Sequence, residues 1–120
     1  MSKFDAKTLS DLHEAEEVAI RTEKHPDNAV VIWVVVADDE AFARSFRGAK
    51  GRWYRDLATG GPAVLEFGGR RLAVQAAPTN DEAALARVSR EYFRKYRSSS
   101  YAQAMVQPGI LSTTLRLEPR

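Results

Sequence analysis

Ala29-Val-Val-Ile-Trp-Val-Val-Val-Ala37 (AVVIWVVVA) is the most apolar stretch of this 120-residue chain, and its reading decides the fold. The run is half the ~20 residues that cross a bilayer, so it is a strand and not a span. From Val30 to Val36 it is β-branched almost throughout, interrupted by Trp33, and lacks alternation, which predicts a central strand covered on both faces. Asp38-Asp39 supplies a tight turn after it. Glu40–Phe46 then returns as a strand, with Phe42, Arg44 and Phe46 on one side and the small residues Ala41, Ala43 and Ser45 on the other.

Upstream, Asp5 is a helix N-cap and Leu9 and Leu12 share one face, predicting a short helix to about His13 that lids the core. From Glu17 the period changes to two. Val18, Ile20 and Thr22 face one way and Glu17, Arg21 and Glu23 the other, as in a half-buried strand, which the turn His25-Pro26-Asp27-Asn28 ends. Downstream, Gly48, Gly51, Gly60 and Gly61 bracket an irregular or single-turn helical segment carrying Trp53, Tyr54 and Leu57. Ala63–Phe67, Gly68-Gly69 and Arg71–Ala76 read as a hairpin whose two-residue turn needs positive φ.

Thr79-Asn-Asp-Glu82 matches a capping box and predicts a helix along which Leu85, Val88, Tyr92 and Tyr96 recur at helical spacing with Phe93 beside them, and with cations in its last turn. Ser98-Ser-Ser100 breaks it. A weaker helical stretch, Tyr101–Val106, ends at Pro108-Gly109, and Ser112–Glu118 alternates as a last strand. No repeat, low-complexity tract or long linker divides residues 1–120, so one domain is expected. Six strands, a short N-terminal helix and a longer helix before the last strand make the class mainly β (α+β), a small barrel with helices at its edge.

Lys and Arg total 18 against 16 Asp and Glu, so the chain is too evenly charged for a nucleic-acid tail. The Arg-rich stretch Arg87–Arg97 is read as the solvated face of its helix, and no nucleic-acid or membrane partner is expected. The absence of Cys excludes disulfides, thiolate catalysis and Cys-based metal sites. The polar N-terminus offers no export core, which sets a cytoplasmic expectation.

One segment breaks the charge balance. Ala41–Arg55 (AFARSFRGAKGRWYR) carries Arg44, Arg47, Lys50, Arg52 and Arg55 with no acid. Glycines allow backbone amides to approach a ligand, and guanidinium groups grip phosphate or carboxylate through paired hydrogen bonds, so the segment reads as an anion-binding loop. Its alternative is a solvated basic turn that pairs with the acidic segment Asp11–Glu17. Trp53 and Tyr54 within it are either a platform for a flat ring or anchors for the connection. His13 and His25 have no carboxylate or Ser that spacing places beside them and are read as solvated imidazoles, and no metal set is expected. With no catalytic set of its own, the chain would need a bound cofactor to carry a reaction.

The stretch Val30–Ala76, with VVIWVVV, RSFRGAKGRWYRDL, PAVLEF, Gly68-Gly69 and RRLAVQA, resembles the flavin/deazaflavin-binding split β-barrel superfamily, the pyridoxamine-phosphate-oxidase-like and deazaflavin-dependent nitroreductase-like proteins. Within it, the R-S-x-x-G-x-x-G-x-W-Y-R core and Thr113-Thr-Leu-Arg-Leu-Glu-Pro119 resemble an uncharacterised bacterial domain-of-unknown-function family, number 2255. The resemblance implies a six-stranded, FMN-binding-like split barrel that forms a homodimer and binds FMN or a deazaflavin. It implies a flavin- or deazaflavin-dependent, nitroreductase-like oxidoreductase. Arg44, Ser45, Gly48, Lys50 and Gly51 fall where relatives approach cofactor phosphate, Arg47 adds a cation, and Trp53 and Tyr54 form the adjoining turn. Where the deazaflavin branch carries a G-x-P-R-x-x-P segment, this chain has His25-Pro-Asp-Asn-Ala29. The alternative is a barrel without cofactor, a non-catalytic dimeric module for a small anion or an acidic partner. On the first reading, charge reversal at Arg44 and Lys50 abolishes ligand binding and costs little stability.

Overall fold

The computed structural model describes residues 3–120. Its strands are β1 (Val18–Thr22), β2 (His25–Ile32), β3 (Val34–Ala37), β4 (Glu40–Ala43), β5 (Gly61–Phe67), β6 (Arg70–Pro78) and β7 (Leu115–Pro119). The helices are α1 (Ala6–Glu14), α2 (Arg52–Leu57), α3 (Glu82–Tyr96) and α4 (Pro108–Leu111), with 3-10 turns at Gly48–Lys50 and Ala104–Val106. All seven strands belong to one antiparallel sheet in the order β2-β1-β5-β6-β7-β4-β3. The class is mainly β, as expected, with seven strands in place of six.

Chain geometry forces that sheet to curl. Laid flat, seven strands put their edges roughly 29 Å apart at ~4.8 Å per spacing. Yet β2 ends at Ile32 and β3 begins at Val34, so the two edges are bridged by Trp33 alone, about 7 Å of chain. Only a rolled half-barrel satisfies both constraints. The expectation of one central strand over Val30–Val36 is thereby corrected: the run is two edge strands broken at Trp33. β3 is covered, because Val34 enters the barrel interior and Val35 packs outside with Val88 and Tyr92 of α3. β2 is largely exposed. An apolar run does not distinguish a strand covered on both faces from one that borders a cavity.

Local chemistry accounts for most boundaries. Asp5 caps α1, accepting from the Thr8 amide at 2.7 Å, and Leu9 and Leu12 seat the helix on the core, each burial contributing about 1.5–3 kcal/mol. Gly68 and Gly69 take φ of 53° and 77° and close the β5–β6 hairpin. Asp38 and Asp39 close β3–β4 with φ of 51° and 63°, unusual for residues carrying a Cβ. Strand β4 stops at Ala43, short of the expected Phe46, since the Arg44 amide donates to Tyr92 Oη instead of continuing the ladder.

Three further expectations change. His25–Asn28 is the start of β2 and not a turn; the chain reverses at Glu23-Lys24. Asp81, not Thr79, caps α3, accepting from the Ala84 amide at 2.9 Å, while Thr79 Oγ1 donates to the Ala77 carbonyl. Pro108 opens α4, where its fixed φ and missing N–H suit the first helical position, instead of ending a helix. Among the described residues no helix is long and apolar enough to cross a membrane.

Candidate functional site

The end of β4 feeds directly into the site. Arg44 is 1 % exposed, and its guanidinium donates to Thr114 Oγ1 (2.8 Å), Ser89 Oγ (2.8 Å), the Met105 carbonyl (3.0 Å) and the Leu85 carbonyl (2.9 Å). These bonds tie the end of β4 to α3, the 3-10 turn at Met105 and the approach to β7. The guanidinium carbon also lies 5.6 Å from the Tyr92 ring centre. Burial lowers the Arg44 pKa to about 10, which leaves it cationic at neutral pH, and it has no carboxylate partner among the described residues. Oriented carbonyls and hydroxyls compensate the buried charge.

Ser45 follows at the same depth, 1 % exposed. Its amide donates to Thr113 Oγ1 at 2.9 Å, but its own hydroxyl has no hydrogen-bond partner. Gly51 lies against that hydroxyl so closely that any Cβ there would collide with it. A buried hydroxyl without a partner costs about 1–3 kcal/mol unless something else satisfies it.

Ser45 and Gly51 border a cavity of about 630 Å³, within the range of small-molecule sites. Ile20, Val30 and Ile32 make its apolar wall, and Trp33 and Trp53 add two aromatic rings. Arg47 and Arg52 line it as one polar group, and Thr22, His25 and Asp56 form a second. Val31, Phe46 and Tyr101 also line it, all exposed, with the Phe46 and Tyr101 rings edge to face at 5.5 Å. Among the described residues, Arg47, Lys50, Arg52 and Arg55 form no ion pair. The alternative pairing of this loop with Asp11–Glu17 is not what forms: Asp11 is taken by Lys7 and by Arg70, the latter at 2.7 Å.

Of the residues singled out in the sequence, Arg44, Ser45, Arg47, Gly51 and Trp53 meet at the cavity, and Gly48, Lys50 and Tyr54 do not line it. Gly48, at φ 66°, turns the backbone beneath α4, Lys50 is exposed, and Tyr54 Oη donates to the Ser112 carbonyl at 3.4 Å. Trp53 is buried in the core, as an anchor would be, and also borders the cavity. In the second basic cluster Arg87 pairs with Asp38 and Arg94 with Glu91, and Arg90, Arg94 and Arg97 are exposed, but Lys95 departs from the solvated-face expectation and donates inward to the Leu12 and Val34 carbonyls.

His25 corrects the sequence reading. Its Nδ1 lies 2.6 Å from Asp56 Oδ2, which also accepts from Thr22 Oγ1 at 2.6 Å. Burial pushes the Asp56 carboxyl up, but the hydrogen bonds from Thr22 and His25 outweigh it and hold the group below its usual range. Asp56 is therefore ionised at neutral pH. The missed signal was helical spacing: Arg52, Trp53 and Asp56 lie on one face of α2.

Compared with known proteins, residues 8–117 match the model of a family described as an uncharacterized protein conserved in bacteria (DUF2255), and the chain belongs to that family. No curated protein matches the chain. Solved structures share the fold. A protein assigned as general stress protein 26 from Jannaschia sp. CCS1 superposes with a TM-score of 0.66 at 12% identity, over 94% of this chain and 71% of that one. A conserved hypothetical protein from Mycobacterium tuberculosis gives 0.63 at 14% identity, over 98% and 79%. The flavocytochrome Anf3 from Azotobacter vinelandii gives 0.55 at 12% identity, over 99% and 69%.

Proposed function

We propose that this member of the bacterial family binds a phosphorylated flavin or deazaflavin in its cavity and works as a nitroreductase-like oxidoreductase. The observation that carries the reading is the buried, unpartnered Ser45 hydroxyl beside Gly51, with Arg47 and Arg52 free of carboxylates on the same cavity. A phosphate oxygen would satisfy the hydroxyl, and two guanidinium groups would balance its charge. Ser45, Arg47 and Arg52 would hold the phosphate, while Trp53 and the Ile20, Val30 and Ile32 wall would flank the ring. Arg44 contributes charge from below, its donors being largely committed to protein. When bound, the flavin supplies hydride or electron transfer, for which the chain has no group of its own. The likeness to a protein named a flavocytochrome supports the same reading. Val31, Phe46 and Tyr101 leave an exposed apolar rim that a second copy of the chain would cover in a homodimer.

The test is the absorption spectrum of the purified protein, followed by fluorescence titration with FMN and with a deazaflavin. Uptake of either is expected, weakened at least roughly tenfold by Arg47→Glu with Arg52→Glu, because two favourable charge-assisted contacts become repulsive. Both side chains are exposed, so the fold should be unaffected. A colourless protein that takes up neither compound overturns the reading. That outcome favours the second one, a non-catalytic dimeric module for a small anion or acidic partner, whose support is the same positive charge on Arg47 and Arg52, free of ion pairs among the described residues.

A further inference from the structure

Thr22 closes β1 and His25 opens β2, and the two are directly paired across the Glu23-Lys24 turn, so their side chains leave the sheet on the same face. Asp56 reaches them from the face of α2 that also carries Arg52 and Trp53. Arg52 and Asp56 stand four apart, a spacing that ordinarily favours an ion pair, yet Asp56 is engaged by Thr22 and His25 instead. The Asp56 side chain is 9 % exposed and that of His25 38 %, so both border the cavity and the imidazole is the more open of the two.

The contact fixes a tautomer. Asp56 is ionised and cannot donate, so the proton between the two groups belongs to Nδ1 of His25. Neutral His25 is left with a lone pair on Nε2. We propose that His25 is a proton acceptor for the molecule bound in the cavity, with Asp56 as its positioning residue and Thr22 fixing the carboxylate. Nε2 accepts a hydrogen bond from a weakly acidic N–H or O–H of the ligand and takes its proton when the group ionises; the resulting imidazolium is balanced by Asp56. The cavity thus carries two chemically distinct polar groups, the Arg47 and Arg52 cations and the Thr22, His25 and Asp56 cluster, and its ligand class is an anionic, largely flat apolar molecule that also carries such a donor. This rests on the cofactor reading above and adds to it a group that acts on the ligand through acid–base chemistry.

The experiment uses the 120-residue chain, 15N-labelled, with FMN as probe, since its ring carries an imide N–H. In the neutral imidazole the His25 resonances should report a protonated Nδ1 and a bare Nε2. Asp56→Ala should lose that fixed tautomer and with it the response of Nε2 to FMN, which a merely stapling role for the cluster would not have shown in the wild type. Saturating FMN should shift the Nε2 resonance toward a hydrogen-bonded value, and His25→Phe should weaken FMN about three- to tenfold, the loss expected for one hydrogen bond. If FMN binds but leaves Nε2 unchanged and His25→Phe binds it equally well, the inference is overturned and the cofactor reading stands. If the wild-type protein takes up a deazaflavin but not FMN, the same measurement is made with the deazaflavin, whose ring carries the same imide N–H; if it binds neither, the reading falls and the inference with it. Should His25→Phe fail to fold, the wild-type Nε2 titration alone decides.

Discussion

Replacing Arg44 by Met removes a positive charge and four hydrogen bonds from a side chain that is 1 % exposed. The partners do not suffer equally. Thr114 Oγ1 still donates to the Leu111 carbonyl, and the Leu85 carbonyl lies inside α3, where the helix ladder still uses it. The Met105 carbonyl has no such substitute, and a buried orphan costs about 1–3 kcal/mol. Hydrogen bonds from a charged donor contribute about 1.5–3 kcal/mol each, but removing a buried cation also relieves a desolvation cost of several kcal/mol, so the four do not simply add. The expected net loss is about 3 kcal/mol, the upper end for one buried acceptor left unpaired. Set against a stability of about 5–15 kcal/mol, this would lower Tm by roughly 10 °C. Urea denaturation with the m-value checked is the assay, and Arg47→Met, at an exposed side chain with no ion pair, is the control expected within about 0.5 kcal/mol of wild type. An Arg44→Met protein as stable as that control, with unchanged m, would refute the argument that this guanidinium holds three elements together. The structure thereby reverses the sequence-based expectation that charge reversal at Arg44 is cheap: a carboxylate there would face two carbonyl oxygens.

Two other outcomes follow from local chemistry. Asp39→Gly removes a Cβ from a residue held at φ 63° in the β3–β4 turn while leaving the Asp38–Arg87 ion pair intact, and should raise stability by about 0.5 kcal/mol, read as a higher Tm; a lower Tm would refute it. Lys95 donates to the Leu12 and Val34 carbonyls, and burial lowers its pKa to about 8 from 10.5. Between those values the unfolded chain binds the extra proton, so this group's contribution to stability rises with pH, by about 1 kcal/mol after allowance for solvent screening. The stability difference between wild type and Lys95→Met should therefore shift in favour of wild type as pH is raised from 7 to 10, and a difference constant over that range would refute it.

What could be read in the sequence was what neighbouring residues decide. The Asp5 cap, the Gly68-Gly69 and Asp38-Asp39 turns and the buried face of α3 at Val88, Tyr92 and Tyr96 all depend on short spacings. The basic loop was equally visible, and five of its eight singled-out residues reach the cavity. Long-range geometry was not visible. Trp33 bridges the sheet's two edges only because seven strands roll up, and no local pattern distinguishes that from a continuous strand. Arg44 is placed by Ser89, Met105 and Thr114, the last 70 positions away, so its burial was hidden behind an ordinary-looking cluster of cations. His25 and Asp56 are 31 apart and meet only once α2 folds against the start of β2.

The chain has two tryptophans, and both line the same cavity, Trp53 from α2 and Trp33 from the bridge between β2 and β3. The Trp33 ring is stacked on Tyr96 at 3.9 Å and 3°, and its carbonyl accepts from Tyr92 Oη at 2.6 Å. The protein therefore carries its own optical gauge. Every indole that emits is a wall of the one chamber, with no remote tryptophan to supply a constant background, so native emission changes with whatever enters. Collections of unlabelled compounds can be ranked directly by quenching, and single Trp33→Phe and Trp53→Phe variants would tell which wall the occupant approaches.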